Sequence, residues 1–277
     1  MQSVELTAGT IEYRQEGDPT GPPVVLLHGL LMNDAQWNLV LPLLPGGFRY
    51  LLPVLPLGGH RVPMREDADL TMPGMVALVA DFLDALDLVD AVLVVTDWGG
   101  PLFLTDAGRD HRVRRLVVCP SEAFDNFPPG LPGKATRVLT LSPATVSLAM
   151  RLLSVDWWRR RYLLFGMMAK KPIPQPIVEN WFAHALQNPA LRRDLIKYAR
   201  TRFDPRELVR ATESLARFRG DVLMLWSRNP VMPDAHAHRL AELTGATLRY
   251  VDDAHVLVML DQPEQTARAI GAFLAGG

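Results

Sequence analysis

Val92-Leu93-Val94-Val95-Thr96-Asp97-Trp98-Gly99-Gly100-Pro101-Leu102 is the stretch from which the rest of the chain is best read. An apolar run fit for a buried parallel strand stops at Asp97 and two glycines follow. Pro101 then stands where the first turn of a helix tolerates it. A carboxylate is thereby held at a sharp strand-to-helix turn, with small residues where backbone and helix approach closely. The plainer alternative is that Thr96 or Asp97 caps a helix, as polar residues do after strands in many α/β folds.

Outward from this stretch, strands and helices alternate. Val4 to Thr7 and Thr10 to Arg14 alternate in polarity around Ala8-Gly9, the pattern of an edge hairpin. Val24 to Leu27 is a short buried strand ending at His28-Gly29-Leu30, and a helix is expected over Ala35 to Leu44. The strand Tyr50 to Leu52 leads into a Pro- and Gly-rich excursion. Thr71 then caps a helix carrying Met75, Val79, Phe82, Leu83 and Leu86 on one face. Leu116 to Cys119 is the strand after the Asp97 turn. From 130 to 214 the patterns are helical only: Val146 to Leu153, Trp157 to Met168, Ile177 to Gln187 and Leu191 to Arg202. Strand Asp221 to Trp226, helix Ala235 to Thr244, strand Thr247 to Val251 and helix Pro263 to Leu274 complete the chain. The expectation is one α/β domain with a parallel sheet covered on both faces, made of residues 1–129 and 215–277 and interrupted by a helical segment, 130–214.

Composition sets limits. With 277 residues, 48% hydrophobic and 21% charged, the chain can bury a large core. A formal charge of -1, with both signs interspersed, gives no footprint for nucleic acid. The Met1 to Glu5 start lacks the regions of a secretion signal. The longest apolar stretch, Val138 to Val155, is broken by Ser142, Pro143 and Arg151, so a cytoplasmic protein without a membrane span is expected. Cys119 is the only cysteine, which rules out an internal disulfide and a thiolate metal cluster and reads as core. His236 and His238 open an amphipathic helix and read as a solvated helix start rather than a metal pair.

In this order, the His28-Gly29 turn, the Asp97 turn, the helical segment between the sixth and seventh strands and the late His255 resemble the α/β-hydrolase fold over almost the whole chain. That resemblance implies a mostly parallel central sheet flanked by helices, with a helical cap between strands six and seven. The Asp97 turn corresponds to the nucleophile elbow, normally G-x-S-x-G, with Val95 in place of the first glycine and Asp97 in place of the serine. Asp97-Trp98-Gly99-Gly100 is similar to haloalkane dehalogenases and epoxide hydrolases, the branches in which an aspartate is the nucleophile. A carboxylate is already ionised at neutral pH and displaces a leaving group from saturated carbon without an activating base. Water must then open the resulting ester, assisted by a base near neutral pKa.

The resemblance implies a role for each candidate residue. His255 is the expected base, although the run to Pro263 is slightly longer than usual. The amides of Trp98 and Leu30 are the expected oxyanion donors. His28 shapes the oxyanion loop and is structural. Asn229 stands where many relatives carry the triad aspartate, and an amide cannot stabilise an imidazolium as a carboxylate does. Glu122, after the sixth strand, is therefore the first choice of acid and Asp125 the reserve, while Asp253 is expected to point elsewhere. The Trp98 indole N–H suits a weakly hydrated halide in a dry pocket. Trp157 and Trp158 are candidates for a second halide donor. Tyr198 and Tyr162 are the phenols available to polarise an epoxide oxygen. The expected protein is thus a hydrolase forming an alkyl ester on Asp97, most like a haloalkane dehalogenase, with an epoxide hydrolase as the alternative. A non-hydrolytic or binding member with an impaired triad is the third reading. The expected substrate is a small apolar organic molecule, with no metal or cofactor, and the expected state is a monomer or homodimer.

Overall fold

The computed structural model describes residues 1–161 and 165–276. β1 (Gln2–Leu6) and β2 (Gly9–Gly17) form the edge hairpin, with Leu6 opposite Gly9. Gly9 turns the chain at φ +136°, a conformation that side-chain-bearing residues rarely adopt. β2 also pairs antiparallel with β4 (Arg49–Pro53). All further pairings are parallel, through β3 (Pro23–Leu26), β5 (Ala91–Asp97), β6 (Val113–Ser121), β7 (Asp221–Trp226) and β8 (Thr247–Tyr250). The eight-stranded order is β1-β2-β4-β3-β5-β6-β7-β8. Every residue of β5 is buried, which is why it reads as a continuous apolar run rather than an alternating one.

The first helix, α1 (Met72–Ala85), begins at Thr71, whose hydroxyl accepts from the Gly74 N–H, and it buries Met75, Val79, Phe82 and Leu83. Each such side chain contributes about 2 kcal/mol on leaving water, enough to hold the helix where propensity alone would not. Among the described residues six helices then run in succession between β6 and β7: α2 (Gly130–Leu139), α3 (Pro143–Ser154), α4 (Asp156–Arg159), α5 (Gln175–Gln187), α6 (Pro189–Ala199) and α7 (Pro205–Glu213). After β7 come α8 (Asp234–Thr244), which ends on Gly245 at φ +67°, the short α9 (Val258–Asp261) and α10 (Pro263–Ala275). Both α8 and α10 pack on β7.

Three expected helices differ. Residues 35–44 form two 3-10 turns, Asp34–Trp37 and Leu41–Leu43, because Pro42 removes a donor that an α-helix would need. The segment after Asp97 is a 3-10 turn, Gly100–Leu104. Of the helix expected over 157–168, the described residues form the end of α4 and a 3-10 turn at Phe165–Met167, and 162–164 lie outside the described residues. The buried Arg159 guanidinium folds back onto the Leu153 carbonyl (2.9 Å), Asp156 (2.9 Å) and Gln175 (3.1 Å). Among the described residues no helix is long and apolar enough to cross a membrane.

Candidate active site

Asp97 is the last residue of β5 and takes φ +58°, the left-handed conformation that costs a non-glycine residue energy and recurs at functional turns. Its Oδ2 accepts from the Leu30 N–H at 2.8 Å. Of the two expected oxyanion donors only Leu30 bonds to this carboxylate, and it does so because the His28-Gly29 turn brings the chain there. A Cβ on Gly29 would lie 2.2 Å from Asp97 Oδ2, so only glycine fits. His28 holds the turn: its Nε2 accepts from the Leu55 N–H (2.8 Å), leaving Nδ1 to donate to the Gly29 carbonyl (2.9 Å). Burial pushes His28 down to about 4, keeping it neutral, and pushes Asp97 up to about 6, with the Leu30 N–H acting the other way.

Glu122, Trp98 and Tyr198 share the cavity with Asp97. Glu122 follows β6, and its N–H donates to the Asp97 carbonyl at 3.0 Å. Gly99 lets the two turns meet, since a Cβ there would lie 1.8 Å from the Glu122 carbonyl oxygen. The Glu122 side chain is only 8% exposed and its Oε2 has no hydrogen-bond partner. Burial, then the Asp97 charge, raise its pKa well above the ordinary range, against the pull of the Gly99 N–H. Trp98 is buried, its Nε1 makes no hydrogen bond of ordinary length among the described residues, and its ring meets Tyr198 edge-on at 6.1 Å. Burial first, then Glu122 and Asp97, raise the Tyr198 phenol, and the Trp98 N–H acts to lower it. Leu30, Leu139, Leu153, Phe165 and Met168 supply apolar wall to a cavity of about 80 Å³. That is room for on the order of half a dozen non-hydrogen atoms.

His255 is not brought into this cavity. Its N–H donates to Asp261 Oδ2 (2.8 Å), its carbonyl accepts from Ser227 Oγ (2.6 Å), and its Nδ1 lies 3.2 Å from the Met167 carbonyl oxygen. It borders a separate cleft with Lys170, Arg228, Asp252 and Asp253. Phe165 and Met168 line the Asp97 cavity while the Met167 carbonyl meets His255, so this turn stands between the two. The lengthened His255 to Pro263 run bears on this: the residue buried beside His255 is Val256. Burial lowers the His255 pKa, and the charge acting against that fall most strongly is Asp261, not Glu122. Asp261 went unnoticed in the sequence; it is fully buried and also accepts from the Lys170 and Lys171 N–H groups at 2.9 and 2.8 Å.

The remaining candidates sort cleanly. Asn229 is turned into its own loop, accepting from Val231 and Met232 N–H and donating to the Ser227 carbonyl, and touches neither cavity nor imidazole. Trp157 and Trp158 are 58% and 43% exposed, packed edge-on against each other, with Arg161 stacked on Trp157. They do not line the cavity: both stand on α4 and face solvent. Asp125 approaches His236 at 3.5 Å, and Asp253 pairs with Lys170. Tyr162 lies outside the described residues.

A model described as the alpha/beta hydrolase family matches residues 24–269. A haloalkane dehalogenase of Mycobacterium marinum is 35% identical over 114 residues, 39% of this chain and 37% of the relative. Epoxide hydrolase 3 of Xenopus tropicalis is 34% identical over 109 residues, 38% of this chain and 29% of the relative. The chain thus matches well under half the length of these curated relatives. A crystal structure of the haloalkane dehalogenase DbeA-M1 loop variant from Bradyrhizobium elkanii superposes with a TM-score of 0.74 at 20% identity, covering 99% of this chain and 91% of that one. The eight-stranded, mostly parallel sheet and the family match over most of the sequence agree: this chain belongs to the alpha/beta hydrolase family.

Proposed function

We propose that this protein is a hydrolase that forms a covalent alkyl ester on Asp97 from a small apolar electrophile, most like a haloalkane dehalogenase. The observation that carries this reading is the Asp97 carboxylate itself: buried at the end of β5, held by one backbone N–H, and open only to an apolar cavity. With a pKa raised to about 6, Asp97 is still mostly ionised at pH 7. It is also more nucleophilic than a solvated carboxylate, because water no longer stabilises its charge. Attack on saturated carbon expels the leaving group towards the Trp98 indole N–H, which makes no hydrogen bond of ordinary length among the described residues and lies beside the Tyr198 ring. The negative charge that develops on the aspartyl oxygen when water attacks the ester meets the Leu30 N–H.

A second reading, epoxide hydrolase, rests on Tyr198, whose ring stands beside Trp98 at the same cavity and whose phenol can polarise an epoxide oxygen. A third, a binding member without turnover, rests on His255 lying outside the cavity. One experiment separates all three: incubation with a matched short bromide and epoxide, followed by peptide mass spectrometry, with Asp97→Asn as control. An alkyl adduct on Asp97 from the bromide supports the first reading, and one from the epoxide alone supports the second. Binding without any adduct favours the third, and an adduct on another residue overturns the aspartate assignment.

A further inference from the structure

We propose that Glu122, rather than His255, is the base that releases the ester from Asp97, so that the site runs on two carboxyl groups. This rests on the ester reading above and adds the residue that completes its cycle. Glu122 and Asp97 come from the ends of adjacent strands, β6 and β5, and border one cavity. Glu122 is buried, and its Oε2 is left without a partner. Among the described residues the other titratable side chain on that cavity wall is Tyr198, and no cationic side chain lines it. A carboxylate that served only to orient an imidazole would be paired with it. Here the imidazole meets the Met167 carbonyl across the Phe165–Met168 turn, and the carboxylate joined to the His255 backbone is that of Asp261.

Charge coupling sets the order of events. Two carboxyls in one apolar cavity cannot both ionise cheaply, so the pair holds a single proton: Asp97 is ionised and Glu122 is neutral. Alkylation forms the Asp97 oxygen-to-carbon bond, breaks the carbon-to-halogen bond and removes the Asp97 charge. Alkylation thereby removes the second of the two causes that hold Glu122 neutral, and Glu122 gives its proton to solvent against the remaining cost of burial, becoming a carboxylate only once the ester exists. It then takes one proton from the attacking water. The alcohol leaves with the other, Asp97 returns as carboxylate, and Glu122 ends the cycle protonated. The balance is halide plus water to alcohol, halide ion and one proton. With an epoxide, the Glu122 proton goes to the opened oxygen instead.

The test compares Glu122→Gln, Glu122→Asp and His255→Ala with the parent protein on one short bromide, reading turnover and, after rapid quenching, the fraction of Asp97 held as ester. Glu122→Gln is expected to alkylate normally and to lose at least about 100-fold in turnover, with ester accumulating, since removing a general base costs about that much or more. Glu122→Asp should recover part of the loss. His255→Ala should stay within about threefold of the parent, with no accumulated ester. Ester trapped in His255→Ala, or normal hydrolysis in Glu122→Gln, overturns the role of Glu122 while leaving the ester on Asp97 intact. The His255→Ala result decides this even if a Glu122 variant does not fold. Absence of any Asp97 adduct in all four proteins removes the ester reading and this inference with it.

Discussion

Replacing Asp97 by Asn should make the protein more stable, and only in one pH range. The folded pKa of about 6 stands roughly two units above the ordinary aspartate value of 3.8. At 1.36 kcal/mol per unit, keeping Asp97 ionised in the folded state therefore costs about 3 kcal/mol relative to the unfolded chain. The sign follows from proton binding: the folded state holds the Asp97 proton more tightly. The cost is thus absent below the unfolded pKa, grows between about pH 4 and 6, and is complete above about pH 7. Asn is uncharged throughout and keeps an oxygen for the Leu30 N–H. Urea unfolding followed by tryptophan fluorescence should show Asp97→Asn about 3 kcal/mol more stable at pH 8, with a melting temperature higher by on the order of 6 to 12 °C. At pH 4 the two proteins should converge. A variant equal to or weaker than its parent at pH 8 would refute the claim that this carboxylate is held ionised against its surroundings, as a buried nucleophile must be.

Three other outcomes follow from the same geometry. Gly29→Ala would push a methyl group to 2.2 Å from Asp97 Oδ2 and displace the carboxylate from the Leu30 N–H. A lost charge-assisted hydrogen bond is worth about 1.5–3 kcal/mol, so Asp97 alkylation should slow by about 10- to 100-fold while circular dichroism stays unchanged. Trp98→Phe keeps the apolar bulk and deletes the indole donor. It should slow alkylation by a bromide at least about tenfold, whereas Tyr198→Phe should matter for an epoxide and little for the bromide. Asp261→Ala would orphan three backbone N–H groups, those of His255, Lys170 and Lys171, and should lower unfolding free energy in urea by at least about 3 kcal/mol.

The sheet was legible because its strands carry the signals that burial imposes. β5 is apolar from Ala91 to Val95, as a strand covered on both faces is, and its end at Asp97-Trp98-Gly99-Gly100 announces the close approach that Gly29 and Gly99 permit in space. Thr71 was readable as a cap for a similar reason: the side chain that ends the helix is local to it. Leu30, Trp98, Glu122 and Tyr198 all meet Asp97 at one cavity. The resemblance, rather than periodicity, had pointed to them. His255 shows where such reading stops. The loop after β8 buries Val256 while the His255 ring meets the Met167 carbonyl, and no local pattern in the sequence records that choice. The tandem tryptophans failed for a different reason. Both stand on α4 with their rings packed on each other and exposed, a choice of helix face that sequence spacing does not reveal. The expected helix at 35–44 gives way to 3-10 turns at 34–37 and 41–43, where Pro42 lacks the donor that a continuous α-helix needs.

The central claim is that product oxygen passes through Asp97, and a single turnover in water enriched in oxygen-18 tests it most directly. With protein in excess over a short bromide, the account predicts unlabelled alcohol, its oxygen taken from the Asp97 carboxylate, and one heavy oxygen left in the peptide that contains Asp97. Labelled alcohol with an unlabelled Asp97 peptide would mean that water attacks the substrate directly, and would contradict the account.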